Sequence, residues 1–285
     1  KNNLEKSTMK LVDQNEFKVL TSKLNIVETV SGGSVANSIV GLSQLNNEVG
    51  FIGKVNDDNF GKKYLEGLEK EKVKYCYDIK QEKVPTGTCL ILITPDSERT
   101  MCTFLGTAGK INDNDMKEKE IKSADIVFLE GYLWDEGEPK KAFEKAINNA
   151  KKVAMSLSDL FCVERHKQNF LDLVKKKLDL TFANESEIMA LINTKNFDEV
   201  INFAKEIKKH IIITRGEKGA ISIIGDEITE IKAKKDLTIK DLTGAGDLFA
   251  AGYLHGFINN LPIEECLEQA TKLSSKVIQQ IGARL

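Results

Sequence analysis

The sequence predicts an α/β fold, in which a mostly parallel sheet is covered by helices on both faces. Apolar runs such as 125–132, 152–157 and 178–183 recur along the 285 residues, and a segment with helical spacing follows each. The runs are apolar at consecutive positions, which is typical of strands buried on both faces. Such strands, joined by crossover helices, form a three-layer α/β/α sandwich.

The remaining elements of this pattern are predicted from apolar spacing and turn residues. Strands are expected at 48–55 and 210–215, and helices at 59–73, from Pro139, around Phe170, from near Ser186 and around Phe197. Two stretches depart from the alternation, because 86–106 and 220–231 each resemble a β-hairpin. The first hairpin could form an antiparallel edge of the main sheet, or protrude as a lid that excludes water from a site.

Composition limits the classes of partner. Hydrophobic residues make up 41% and charged residues 29%, as in globular proteins. The net charge of -2 supplies no positive field for nucleic acid, and no apolar stretch reaches the roughly 20 residues of a membrane span. The five cysteines are dispersed without a C-x-x-C pair, so we expect neither a zinc site nor a disulfide framework. Cysteines of this kind are typical of the reducing cytosol, and we therefore expect a cytoplasmic location.

The motif Gly244-Ala245-Gly246-Asp247 precedes a run of small and apolar residues that is typical of a buried helix. The first amides of a helix lie at the positive end of its dipole without internal acceptors, so they can bind phosphate oxygens. Asp247 could accept a proton from a hydroxyl that attacks phosphorus. Alternatively, Asp247 only interacts favourably with the helix dipole.

A second glycine motif, Gly32-Gly33, also precedes an apolar helical segment. The side chains of Ser34 and Asn37 can both donate and accept hydrogen bonds, so they could bind the hydroxyls of a sugar. The structural alternative is a flexible turn followed by a serine that caps the helix.

Two further motifs follow predicted strands. Asn184 and Glu187 have the spacing of a capping box, but Glu187 could instead hold the waters of a Mg²⁺ ion. Thr214, Gly216 and Gly219 lie where a strand turns into a hairpin and could pass under a nucleotide.

These motifs occur in the order G-G-x-x-x-N, N-x-x-E, T-x-G-x-x-G and D-x-T-G-A-G-D, which resembles the ribokinase-like (PfkB) family of carbohydrate and nucleoside kinases. The resemblance covers nearly the whole chain. Segments such as SGGSVANSIVGL, GFIGKVNDDNFG and FANESEI look most like the bacterial adenosine kinase-like branch. The resemblance implies a small β-sheet lid and transfer of the ATP γ-phosphate to a primary alcohol.

The resemblance also implies a role for each motif residue. Asp247 would be the general base, and the amides of Gly244, Ala245 and Gly246 would form the anion hole. The residues expected at the acceptor, with the two glycines as lid hinge, are Gly32, Gly33, Ser34, Asn37, Arg99 and Glu130. The residues expected at the nucleotide are Asn184, Thr214, Gly216, Gly219, Asp241 and Thr243, and Glu187 would organise Mg²⁺.

The expected cofactors are therefore ATP and Mg²⁺, with K⁺ as an optional third. The expected acceptor is a nucleoside, adenosine first. A sugar kinase of the ribokinase, fructokinase or 2-keto-3-deoxygluconate kinase type, and a non-catalytic nucleotide-binding protein, are the alternatives. A dinucleotide-dependent oxidoreductase is disfavoured, because no G-x-G-x-x-G follows the first strand.

The resemblance also predicts the domain organisation. We expect lid segments at 4–30 and 84–105 and a kinase core at 31–83 and 106–285, in a monomer or homodimer. The family's first strand, which carries a substrate-binding aspartate, has no counterpart in this sequence, so we expect it to be missing from the chain.

Overall fold

The computed structural model describes residues 4, 6, 9–94, 99–134 and 137–285, with Arg99 described by its backbone alone. The strands are β1 (Met9–Leu11), β2 (Gly50–Phe51), β3 (Lys74–Tyr75), β4 (Thr88–Ile93), β5 (Arg99–Phe104), β6 (Val127–Glu130), β7 (Val153–Ser156), β8 (Leu180–Asn184), β9 (His210–Thr214), β10 (Ala220–Ile224) and β11 (Glu227–Ile231). The helices are α1 (Gln14–Thr21), α2 (Ser34–Gln44), α3 (Asn59–Lys70), α4 (Glu118–Ser123), α5 (Glu138–Asn149), α6 (Leu160–Lys176), α7 (Glu185–Ile192), α8 (Phe197–Ile207), α9 (Ala245–Ile258) and α10 (Ile263–Val277).

The main sheet has six strands in the order β11-β10-β9-β8-β7-β6. Strands β6 to β9 are parallel, and the hairpin β10–β11 extends the sheet with antiparallel pairing. Both faces are covered: Ile211 and Ile213 pack in the core with α6 to α8, whereas Ile212 packs on the other face with α9 and α10. The predicted α/β fold with a mostly parallel sheet is confirmed.

A second sheet contains β1, β5 and β4 in that order. Leu90 and Cys102 pair across it, and with Val12 and Leu20 they form a small core beneath α1. The hairpin at 86–106 therefore belongs to this separate sheet, and its interpretation as an edge of the main sheet is wrong. The predicted turn at 95–98 lies outside the described residues.

The strand predicted at 48–55 is mostly wrong. Only β2 is extended there, and it pairs with β3 in a two-stranded ribbon apart from the main sheet. Beyond β2 the buried Lys54 ammonium bonds Asp115 at 3.2 Å and Glu82 at 3.3 Å, and Asn56 forms a single backbone bridge with Lys80. An apolar run does not reveal which partner it will have, so the sequence could not exclude a strand of the main sheet.

Helix α9 is buried almost all round, between α2 on one side and α10 on the other. Small residues allow the close approach: a Cβ at Gly252 would lie 2.5 Å from the carbonyl oxygen of Gln269 in α10. This packing fixes the N-terminus of α9 beside the main sheet. Within the described ranges, no helix has the length and apolarity of a membrane span.

Candidate active site

A cleft of about 2120 Å³ runs along β6 and reaches the carboxyl ends of the parallel strands. Its lining includes the end of each of these strands, namely Glu130, Ser156, Asn184 and Thr214, together with the start of α9. Ligands of parallel α/β proteins bind at this edge of the sheet, because the loops and helix N-termini converge there. The second sheet contributes Met9, Leu11, Ile91, Ile93 and Met101 to the same lining.

Asp247 lies in the first turn of α9, and both its carboxylate oxygens accept hydrogen bonds from the start of α2. Ser34 Oγ donates to Oδ1 at 2.8 Å, and Asn37 Nδ2 donates to Oδ2 at 2.9 Å. Ser38 Oγ in α2 also donates to the Asp247 carbonyl oxygen at 2.9 Å. The structure thus joins the motifs at 32–37 and 244–247, 210 residues apart in sequence, in one site.

The turn that precedes α9 leaves donors available. Gly244 has φ +79°, a left-handed conformation that favours glycine, and a Cβ there would lie 2.7 Å from Ala283. The Ala245 amide donates to the Leu242 carbonyl oxygen at 3.3 Å, but no hydrogen bond within the described part of the chain engages the amides of Gly244 and Gly246. Both glycines line the cleft, at the positive end of α9.

Asp241 fixes that turn. Its Oδ1 accepts from the Thr243 amide at 2.8 Å and from Thr243 Oγ1 at 2.6 Å, and Oδ2 accepts from the Gly282 amide at 3.0 Å. The carboxylate is buried and bonded on both oxygens. Both residues line the cleft, and their contribution to nucleotide binding remains a prediction.

Glu130 ends β6, and its Oε2 accepts from the Val35 amide at the start of α2 at 2.9 Å. Burial, reinforced by the negative charge of Asp247, raises the pKa of Glu130 to about 7. The Glu130 carboxyl group therefore lies close to the Asp247 carboxylate and to α2, the helix that binds this carboxylate.

Asn184 and Glu187 form a complete capping box at the start of α7. The Asn184 amide donates to Glu187 Oε2 at 2.9 Å, and the Glu187 amide donates to Asn184 Oδ1 at 2.8 Å. Burial and the nearby Asp159 carboxylate raise the pKa of Glu187 to about 7. Both members of the box also line the cleft, and the role of Glu187 toward Mg²⁺ remains a prediction.

The other predicted positions are distributed around this centre. Gly32 and Gly33 line the cleft just before α2, and Gly33 has φ +103°. Thr214 lies on the main cleft, whereas Gly216 lines a small adjoining cavity with it. Gly219 lines neither cavity: a Cβ there would lie 1.9 Å from the Ile231 carbonyl oxygen, so this glycine permits the approach of β11. The side chain of Arg99 lies outside the described residues, and its role remains a prediction.

Two residues of the site were missed in the sequence. Asp159 caps α6 and lines the cleft near Glu187. Arg284, near the end of the chain, donates to Asn37 and to the Gly32 carbonyl oxygen. Neither belongs to a glycine motif, so no local signal distinguished them from surface charges.

Comparison with known proteins now identifies the family. A model of the pfkB family of carbohydrate kinases matches residues 7–285. The chain belongs to this family. The family resemblance found in the four motifs is confirmed, and the protein is a nucleoside or sugar kinase.

Relatives of this kinase differ in their named substrates. It is 32% identical to the adenosine kinase of Sinorhizobium meliloti, with a TM-score of 0.96 over 100% of this chain and 88% of that one. It is also 32% identical to a probable sugar kinase of Rhizobium etli, with a TM-score of 0.94 over 99% and 87%. The ribokinase of Schizosaccharomyces pombe is 26% identical, over 90% of this chain and 82% of that protein. The acceptor must therefore be inferred from the site.

Proposed function

We propose that this pfkB kinase transfers the γ-phosphate of ATP to a primary hydroxyl of a nucleoside, with Asp247 as the general base. The proposal rests on one observation: the Asp247 carboxylate is held by Ser34 and Asn37 at the N-terminus of α9, inside the cleft. A carboxylate beside an anion-binding helix end suits a hydroxyl that attacks phosphorus.

The proposed reaction is an in-line displacement. The acceptor oxygen forms a bond to the γ-phosphorus while its proton moves to an Asp247 oxygen, and the bond from the γ-phosphorus to the bridging oxygen breaks to release ADP. Ser34 and Asn37 donate to both carboxylate oxygens and so fix the orientation of the carboxylate. The amides of Gly244 and Gly246 would stabilise charge that develops on the phosphoryl oxygens.

The residues near Glu187 fit a magnesium ion that retains its waters. Glu187 is buried with a raised pKa, and Asp159 lies nearby, so a cation would relieve an unfavourable concentration of negative charge. Within the described residues no three His, Cys, Asp or Glu side chains cluster as a metal cage. Mg²⁺ commonly binds to one or two carboxylates plus substrate phosphates, which matches this donor set. When bound, the ion would neutralise phosphate charge.

A nucleoside is favoured over a free sugar by the apolar face of the second sheet. Ile91 and Ile93 are 41% and 50% exposed, and Phe60, which also lines the cleft, is 47% exposed. We propose that the second sheet is the lid, and that this face covers the base of a nucleoside such as adenosine. A flat aromatic base offers the area that such a surface can bury, whereas a free sugar presents mainly hydroxyls.

The test is ADP release with Mg-ATP and a panel of adenosine, ribose, fructose and 2-keto-3-deoxygluconate. We expect turnover with adenosine and at least tenfold lower kcat/KM with each sugar. Turnover with a sugar but not with adenosine would support the sugar-kinase alternative. The similarity to the probable sugar kinase of Rhizobium etli favours this alternative. An absence of turnover with all four acceptors, in protein that binds ATP in a thermal-shift assay, would instead support a non-catalytic binding protein.

A further inference from the structure

The segment Gly282–Arg284 contacts both halves of the site. The Gly282 amide donates to Asp241 at 3.0 Å, and Ala283 packs against Gly244 in the turn before α9. Hydrogen bonds from the amides of Lys240 and Asp241 to the Ile278 carbonyl oxygen attach the preceding loop to the same turn. The turn before α9 therefore fixes the position of Arg284.

From this position the guanidinium of Arg284 binds the start of α2. Nε donates to Asn37 Oδ1 at 3.0 Å, and Nη2 donates to the Gly32 carbonyl oxygen at 3.3 Å. The Asp247 carboxylate and the Tyr64 hydroxyl are close enough to affect the pKa of Arg284, which burial lowers. The Arg284 side chain thus connects Gly32, in the predicted lid hinge, to Asn37, which binds the proposed base Asp247.

The contact of Arg284 with Asn37 and the contact of Asn37 with Asp247 favour the same orientation of the Asn37 carboxamide. Since Oδ1 accepts from Arg284, Nδ2 is the end that donates to Asp247 at 2.9 Å. The opposite orientation would place the amide oxygen against a carboxylate and the NH₂ group against a guanidinium, and both contacts would be lost.

Arg284 acts behind the cleft and not within it. Of the residues at this end of the chain, Ile281, Gly282 and Ala283 line the cleft, and Arg284 does not. Its partners Gly32 and Asn37 do line the cleft, so Arg284 contacts the site through them.

We propose that Arg284 is a positioning residue that orients Asn37, and through it Asp247, for attack by the acceptor hydroxyl. This inference rests on the proposed phosphotransferase function. Arginine suits the role because its planar fork donates to two acceptors at fixed angles, whereas the single ammonium of lysine cannot reproduce that geometry.

The first test uses the acceptor that gives turnover in the panel above. Arg284→Met and Arg284→Lys should each lower kcat/KM for that acceptor roughly 10- to 100-fold, as expected for the loss of a charge-assisted hydrogen bond. The KM for ATP should change less than about twofold. Lys272→Met, which removes an exposed positive charge from α10, is the matched control and should behave as the parent. Values within twofold of the parent for both arginine variants would overturn the proposal.

A double-mutant cycle separates positioning from a general structural role. If Arg284 acts through Asn37, Arg284→Lys should have little further effect on kcat/KM in an Asn37→Ala background, because the group that it orients is gone. Independent losses that add would contradict the proposal. Thermal melting of each variant identifies losses of activity that arise from unfolding. If Arg284→Met does not fold, Arg284→Lys, which keeps the positive charge, carries the test.

A third measurement does not depend on activity. The side-chain NH₂ resonances of Asn37, assigned by comparison with Asn37→Ala, should shift or broaden in Arg284→Lys and remain unchanged in Lys272→Met. Unchanged Asn37 resonances in the arginine variant would refute the positioning role. Failure of the parent enzyme with every acceptor would refute the proposed function, and the resonances would still decide the role of Arg284.

Discussion

The two sheets of this kinase differ in how their faces are covered. In the main sheet, consecutive isoleucines of β9 point to opposite faces, and each is almost completely buried. In the second sheet, Leu90 is buried beneath α1, whereas its neighbour Ile91 on the opposite face is 41% exposed. The first arrangement stabilises the fold on both faces, and the second leaves one apolar face available to a ligand.

The largest difference between the sheets is expected in stability. Ile212→Ala should lower the free energy of unfolding by about 2 to 5 kcal/mol, because it removes a buried side chain and leaves a cavity. Ile93→Ala, the matched change in the second sheet, should alter it by less than about 0.5 kcal/mol. Urea denaturation of both variants measures the difference, and equal losses would show that the second sheet is covered as completely as the first.

A second difference concerns Glu130, which lies at the end of β6 where the main sheet borders the cleft. The pKa of Glu130 is about 7 in the folded protein and near 4.5 in the unfolded chain. The folded state therefore retains a proton that the unfolded state releases, and the free energy of unfolding falls as the pH rises from 4.5 through 7. Glu130→Gln removes the contribution of Glu130 to this fall and keeps an acceptor for the Val35 amide, so the variant should be more stable than the parent at pH 8 by about 1 to 3 kcal/mol.

Denaturation of the parent and the Glu130→Gln variant at pH 4 and pH 8 checks this expectation. Glu187 titrates in the same direction, but it is present in both proteins, so the difference isolates Glu130. A stability difference that is the same at both pH values would contradict the account.

The smallest effect is expected from the exposed face of the second sheet. Ile91→Ser should raise the KM for a nucleoside about tenfold, since a partly buried isoleucine contributes on the order of 1.5 kcal/mol to closure over the base. Its melting temperature should stay near that of the parent. Val19→Ser is the control, because Val19 is 51% exposed on α1 and outside the cleft lining. Equal KM changes in both variants would argue against a lid.

Much of the main sheet could be predicted because its signal is local. Isoleucine occupies three successive positions at 211–213, and such a run is typical of a strand that is buried on both faces. The strand at 48–55 had the same signal but a different partner. The buried ion pairs of Lys54, which direct that segment, involve residues 28 and 61 positions away.

The site was only partly predictable for the same reason. The glycine motif at 244–247 carries its chemistry in four adjacent residues. The sequence predicted that Asn37 binds sugar hydroxyls, and its bond to the Asp247 carboxylate was found only in the structure. Arg284 lies 247 positions from Asn37 and belongs to no motif. Only folding, which brings the end of the chain back onto the turn before α9, reveals this contact.

The most direct measurement of the central claim is the turnover of Asp247→Asn with Mg-ATP and the acceptor identified in the panel. Asparagine keeps the shape of the side chain but cannot take up the proton, so kcat should fall by a factor of order 10² to 10⁴, while stabilisation by ATP in a thermal-shift assay is retained. A variant that binds ATP and turns over within tenfold of the parent would show that Asp247 is not the base.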